Sequence, residues 1–207
     1  MEALLSEGLS RLGITPDAAQ ARQLEIYCSE LAMWNGKYGL VNAEGDDIVI
    51  RHFLDSLAAV PMLRKMSFDT ACDVGSGGGF PGLVLAVMFP DRKFTLIERS
   101  GRKCNFLSNT AIMMRCSNVE VQNMDADLIE KRFDLVLFRA LGKFNEYFPV
   151  LYKLCSENGR LFAFKGKRSE IDKEIFTIKK IYKDINIEIK PVSVPFLQEE
   201  RHFVIIN

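Results

Sequence analysis

An α/β protein with a mostly parallel sheet, a terminal antiparallel hairpin and an N-terminal helical extension is predicted from three features of the chain. The periodicity changes near residue 68, from helical spacing to short β-rich runs that alternate with helical stretches. A glycine-rich turn, Gly75 to Gly82, follows the first of these runs. The last third ends in two strand-like runs with no room for a crossover helix between them. The expected boundary separates a helical extension, 1–67, from an α/β domain, 68–207.

Three helical segments fill the extension. Leu4, Leu5, Leu9 and Leu12 mark the first, Leu24, Tyr27, Cys28 and Leu31 the second, and Ile50, Phe53, Leu54, Leu57 and Val60 the third. Thr15 and Pro16 suit the N-cap and first turn of the second. Strands are then expected at Thr70–Val74, Lys93–Ile97, Val119–Gln122, Phe133–Phe138 and Arg160–Lys165, and a helix from Ser169 to Tyr182. Ile185–Val194 and His202–Ile206 form the hairpin, joined through Pro195.

Composition narrows the function classes. At 207 residues, 48% hydrophobic and 26% charged, the chain is an ordinary globular one, so disordered and fibrous classes are excluded. Its most apolar stretch, Phe80 to Phe89, contains Pro81 and Gly82 and is too short to cross a bilayer. Met1 to Leu12 carries Glu2, Glu7 and Arg11 among its leucines and has no signal-peptide pattern, so no membrane association and a cytoplasmic location are expected. Cysteines 28, 72, 104, 116 and 155 form no Cys-x-x-Cys pair, so buried thiols are expected and no metal site. With 27 basic and 27 acidic residues, any contact with nucleic acid must use a local basic face.

The strongest local motif is Asp73-Val74-Gly75-Ser76-Gly77-Gly78-Gly79-Phe80-Pro81-Gly82. A dinucleotide fingerprint beginning at Gly75 would need glycine where Phe80 stands. The spacing instead resembles motif I of class I S-adenosyl-L-methionine (AdoMet) methyltransferases. Glu98, at the tip of the second strand and 23 residues beyond Gly75, can accept both ribose hydroxyls of an adenosyl group. After the third strand, Asp127 could accept from the adenine amino group and Ala126 could lend its backbone N–H. Gly75, Gly77, Phe80, Glu98, Ala126, Asp127 and Arg139 are thus the candidate cofactor-binding residues.

Further segments resemble one family over almost the whole chain: Trp34-Asn35-Gly36-Lys37-Tyr38, Arg51 through Ser56, Asp73 through Gly82, Arg102-Lys103 with Phe106-Leu107, Arg139-Ala140, Lys165-Gly166 and Glu200-Arg201-His202. These are similar to the RsmG (glucose-inhibited division protein B) methyltransferases of guanine N7 in 16S ribosomal RNA. The resemblance implies a Rossmann-like class I fold, AdoMet as cofactor, and small-subunit ribosomal RNA or a ribosomal particle as partner. A monomer is the expectation. Asn35, His52, Arg139 and Lys165 are candidate catalytic residues, and Arg102, Lys103, Lys165, Lys167 and Arg201 candidate RNA contacts.

Simpler roles are available for several of these. Trp34 can cap a core, Arg51 and Asp55 can form an i,i+4 surface pair, and His52 can be an interior histidine. Arg139 ends a central apolar strand and calls for an anion, either the methionine carboxylate of AdoMet or a phosphate. Lys179, Lys180 and Lys183 read as a solvated helix face. A methyltransferase for another RNA or a small molecule, a Rossmann-type oxidoreductase and a noncatalytic RNA-binding protein are the alternative functions.

Overall fold

The computed structural model describes residues 2–207; Met1, the first residue of the segment read above for a signal, lies outside them. Helix α1 (Glu2–Arg11) leads to α2 (Ala18–Tyr38). Asp17, not Thr15, caps α2: its side chain accepts from the Gln20 N–H, while the Gln20 side chain accepts from the Asp17 N–H. This reciprocal box satisfies two orphan donors, which Thr15 with Pro16 behind it could not do.

The third helical segment is broken into α3 (Asp46–Ile48), a π-helical turn (Val49–Leu54), α4 (Asp55–Leu57) and α5 (Val60–Leu63). There follow β1 (Thr70–Val74), α6 (Gly82–Met88), β2 (Lys93–Ile97), α7 (Gly101–Met113) and β3 (Val119–Gln122). A 3-10 turn at Ala126–Leu128 precedes β4 (Phe133–Arg139), α8 (Phe144–Lys153), β5 (Cys155–Lys165), α9 (Arg168–Ile181), β6 (Ile187–Val192) and β7 (Arg201–Ile206).

The seven strands run in the order β3-β2-β1-β4-β5-β7-β6, parallel except for β7, which is antiparallel to both β5 and β6. β5 starts earlier than its apolar run suggested, with a shift in register against β4 between Phe133 and Leu135. Strand β4 shows why the centre is apolar throughout: Leu135 and Leu137 join the core on one face, Val136 and Phe138 that on the other. The first face is covered by α1, α2 and the π-turn through Leu5, Leu24, Tyr27 and Phe53, so the extension and the sheet share one core across residue 68. The second carries Phe148 of α8 and Ile171 of α9.

Strand order reverses at β1, leaving a crevice beyond the C-terminal ends of β1 and β4, where open α/β sheets bind ligands. All five cysteines are free and buried, and no described helix is long and apolar enough to cross a membrane.

Candidate active site

Two clefts open at this edge. The first, of about 360 Å³, is lined by Gly75 after β1, Glu98 after β2, Met124, Asp125 and Ala126 after β3, and Ala140 to Gly142 after β4. Glu98 is buried and bound on both oxygens: Oε2 accepts from the Gly77 N–H at 2.9 Å and Oε1 from the Ser100 N–H at 2.8 Å. It therefore ties the glycine turn to the second strand while presenting its remaining lone pairs to the cleft. Asp127 is exposed and does not line this cleft; Asp125 stands there instead, because the 3-10 turn begins one residue after it. Phe80 is turned away. Its ring is buried against Tyr27, His52 and Phe53, with centroids 5.1 to 5.3 Å apart, so any cofactor contact falls to its backbone.

Asp73 ends up fully buried beneath the turn. Its Oδ2 accepts from the Gly82 N–H at 2.9 Å, and Oδ1 has no partner. Burial raises its carboxyl to about 7, against the opposing effects of that hydrogen bond, of the nearby Ser76 hydroxyl and of Arg139. An orphaned buried acceptor beside a glycine turn suits the ammonium of an amino-acid moiety, as Glu98 suits ribose hydroxyls. These residues fit AdoMet.

Because the folded carboxyl titrates above its unfolded value of 3.8, the native state holds the proton longer, and this group lowers stability as pH rises from about 4 to 7. Asp73→Asn keeps an acceptor for Gly82 and removes the charge. It is expected to stabilise the ligand-free protein at pH 8 by on the order of 4 kcal/mol, with the gain vanishing near pH 4, as read by denaturant titration at both pH values.

The second cleft, of about 400 Å³, is lined by Asn42, Arg51, His52, Asp55, Arg139, Ala140, Phe164, Lys165, Gly166 and Arg201. Its centre is Asp55, 5% exposed, whose Oδ2 meets Arg139 at 3.0 Å and Oδ1 meets Arg201 at 2.9 Å. The anion awaited by Arg139 is thus supplied by the extension itself. The expected Arg51–Asp55 surface pair does not form. In the π-turn the two residues no longer stack one turn apart, and Arg51 pairs with Asp47 and Glu199.

His52 Nδ1 lies 2.6 Å from Arg139 Nη2, and arginine can only donate, so Nδ1 accepts and the proton sits on Nε2, which has no partner. Burial, then the Arg139 and Arg51 charges, push this imidazole down to about 3 and keep it neutral.

The remaining candidates divide. Lys165 turns inward: Nζ is 2.8 Å from Glu174 and 4.8 Å from the Phe144 ring centroid, which commits it as an internal cation. Arg201 is likewise committed to Asp55. Asn35 is a loop brace, with Oδ1 accepting from the Val41 N–H and Nδ2 donating to the Ala43 carbonyl. Trp34 packs on Phe106 and Tyr38. Arg102 and Lys167 are exposed, and Lys103 lines the first cleft.

Sequence reasoning passed over Asp55 as a site residue and took Tyr27 only as part of the apolar stripe of the second helix. The Tyr27 hydroxyl, fully buried, donates to the Gly78 carbonyl and so holds the glycine turn from beneath. A polar hydroxyl in an otherwise apolar helix stripe was the available signal.

A doubly wound sheet whose strand β7 runs antiparallel between β5 and β6, with a glycine turn, an acidic tip on β2 and a cleft at the switch point, is the architecture of the class I methyltransferases. A solved SAM-dependent O-methyltransferase from Thermotoga maritima shares this fold, with a TM-score of 0.57 and 14% identity over 73% of this chain and 63% of that one. The family model for GidB, rRNA small subunit methyltransferase G, matches residues 20–204, and the chain belongs to that family. Ribosomal RNA small subunit methyltransferase G of Francisella tularensis subsp. tularensis (strain WY96-3418) is 30% identical over 208 residues, covering 100% of this chain and 97% of the relative. The protein of that name from Borrelia turicatae (strain 91E135) is 30% identical over 200 residues, covering 96% and 95%.

Proposed function

We propose that this chain methylates guanine N7 in 16S ribosomal RNA, with AdoMet in the Gly75–Glu98 cleft and the target base in the cleft around Asp55. Family membership makes it an AdoMet-dependent small-subunit rRNA methyltransferase. The observation that carries the assignment of roles is that the two clefts meet at Ala140, the residue directly after β4, in a left-handed conformation with φ 53°. A group held in one can therefore face a group held in the other.

When bound, AdoMet supplies an electrophilic methyl on a sulfonium centre. Guanine N7 offers a lone pair and no proton, so the reaction needs alignment and exclusion of water, not a base. The second cleft suits this: its histidine is held neutral with Nδ1 occupied, its carboxylate is shared by two arginines, and its lysine is paired. Arg139 is in part a structural cation. Its Nη1 serves Asp55 and the Arg51 carbonyl and one Nη2 hydrogen serves His52, leaving donors for a methionine carboxylate or a phosphate. In the RNA interface, the exposed Arg102 and Lys167 and the half-buried Lys103 meet phosphates, while Lys165 and Arg201 shape the pocket. The setting is a cytoplasmic one, as ribosomal RNA requires, and the protein acts as a monomer whose extension, 1–67, completes the base pocket of the domain at 68–207.

The test combines modification mapping with cofactor affinity. Small-subunit RNA incubated with the protein and labelled AdoMet should gain one methyl group at a guanine N7; a label on another atom or base overturns the N7 assignment. Glu98→Ala should weaken AdoMet binding about 10- to 100-fold through loss of charge-assisted bonds. Unchanged affinity by calorimetry would remove Glu98 from the site.

A further inference from the structure

The cations lining the base cleft are already paired within the protein: Arg139 and Arg201 share Asp55, Lys165 meets Glu174, and Arg51 meets Asp47 and Glu199. Most phosphate recognition must then come from cations without a carboxylate partner. At the C-terminal end of α2, Tyr38 carries Lys37 Nζ at 5.1 Å and Arg102 Cζ at 5.5 Å from its ring centroid. Among the described residues neither cation forms an ion pair, and both are exposed. The ring is half-buried and braced. Trp34 lies 5.2 Å away, and behind it Phe106, fully buried in the core, lies 5.7 Å from Trp34.

We propose that this platform, Tyr38 with Lys37 and Arg102 on a Trp34 brace, binds an unpaired nucleotide of the RNA close to the one being methylated. The base stacks on Tyr38, and the flanking phosphates meet the two cations. The inference rests on the reading of the chain as an RNA methyltransferase and adds a binding site to it.

Its chemistry is that of single-strand recognition. A rigid aromatic face takes any base, and unpaired cations beside it track the backbone that accompanies every base. A cation already bound to a protein carboxylate would have to break that pair to serve a phosphate. Lys37 and Arg102 leave only an exposed cation–π contact, the weaker competitor.

Position ties the platform to both clefts. Four residues beyond Tyr38, Asn42 lines the base cleft, so their Cα atoms are at most about 14 Å apart. Lys103, next to Arg102, lines the cofactor cleft. The loop between Tyr38 and Asn42 is held by Asn35, through the Val41 N–H and the Ala43 carbonyl, so platform and cleft keep a set spacing. A strand whose reactive base enters the cleft has a neighbour within a few nucleotides above Tyr38.

The test uses a short unstructured oligouridine as probe, read by fluorescence anisotropy over a salt series, with AdoMet affinity measured on the same preparations. Tyr38→Ala should lose about tenfold in oligonucleotide affinity, Tyr38→Phe should stay near wild type, and AdoMet affinity should be unchanged in both. Lys37→Gln with Arg102→Gln should reduce the slope of log K against log salt by about 1.4, as two lost single-strand phosphate contacts require, with Tyr38 and Trp34 themselves unchanged. Unchanged binding in Tyr38→Ala, an equal loss in Tyr38→Phe, or an unchanged salt slope in the double variant overturns the platform. Methyl incorporation by the wild-type protein is scored separately: its failure removes the methyltransferase reading, whereas failure of the oligonucleotide series with incorporation intact removes the platform alone.

Discussion

Asp55→Ala is expected to destabilise the protein by about 3–5 kcal/mol, the effect of stripping the partner from buried charge. The carboxylate is 6% exposed in its side chain and is the shared counter-ion of Arg139 and Arg201, themselves 15% and 23% exposed. Its removal leaves two guanidinium groups desolvated in one cleft, repelling each other. For a chain of this size the melting temperature should fall by roughly 6–20 °C. Asp55→Asn retains an acceptor but not the charge, and should lie between the two. Below its melting temperature, the Ala variant should still bind AdoMet, since Asp55 does not line the cofactor cleft, and should fail to methylate RNA. Calorimetry at low temperature beside a denaturant titration checks both parts. A wild-type denaturation midpoint would mean that the ion pairs contribute nothing.

Gly79→Ala carries the second large effect. The residue has φ 96°, a conformation that side chains resist, and a Cβ built there would sit 2.3 Å from the Tyr27 hydroxyl and 3.1 Å from Leu83 and Leu107. The turn must move, and the Tyr27–Gly78 hydrogen bond with it. Stability should drop by about 2–3 kcal/mol and AdoMet affinity about 100-fold or more, since the displaced backbone also carries the Gly77 N–H that Glu98 holds. The clash makes a sharper check available. In a Tyr27→Phe background the hydroxyl is gone, so Gly79→Ala should cost measurably less than alone, with the backbone strain remaining. Strictly additive losses would show that the Tyr27 hydroxyl does not hold the turn.

Much of the frame was readable along the chain. The runs Thr70–Val74, Lys93–Ile97 and Val119–Gln122 became strands at those residues, and the terminal hairpin paired as expected, because alternation, β-branching and turn chemistry act over a few neighbours. The glycine turn and the acidic tip of β2 met in one cleft because consecutive parallel strands place their ends side by side.

What the sequence by itself determined, then, is the α/β order, the cofactor edge and the family motifs, each carried by residues close in the chain. Only the tertiary structure decided which charges serve the ligand and which serve the protein. Arg139 and Arg201 meet Asp55 across 84 and 146 residues, and Lys165 turned to Glu174 instead of to solvent. The π-turn that rotates Asp55 away from Arg51 leaves no mark in apolar spacing. A charge finds its partner through the packing of elements far apart in sequence, and at a buried site the partner decides whether a cation is free to bind a phosphate.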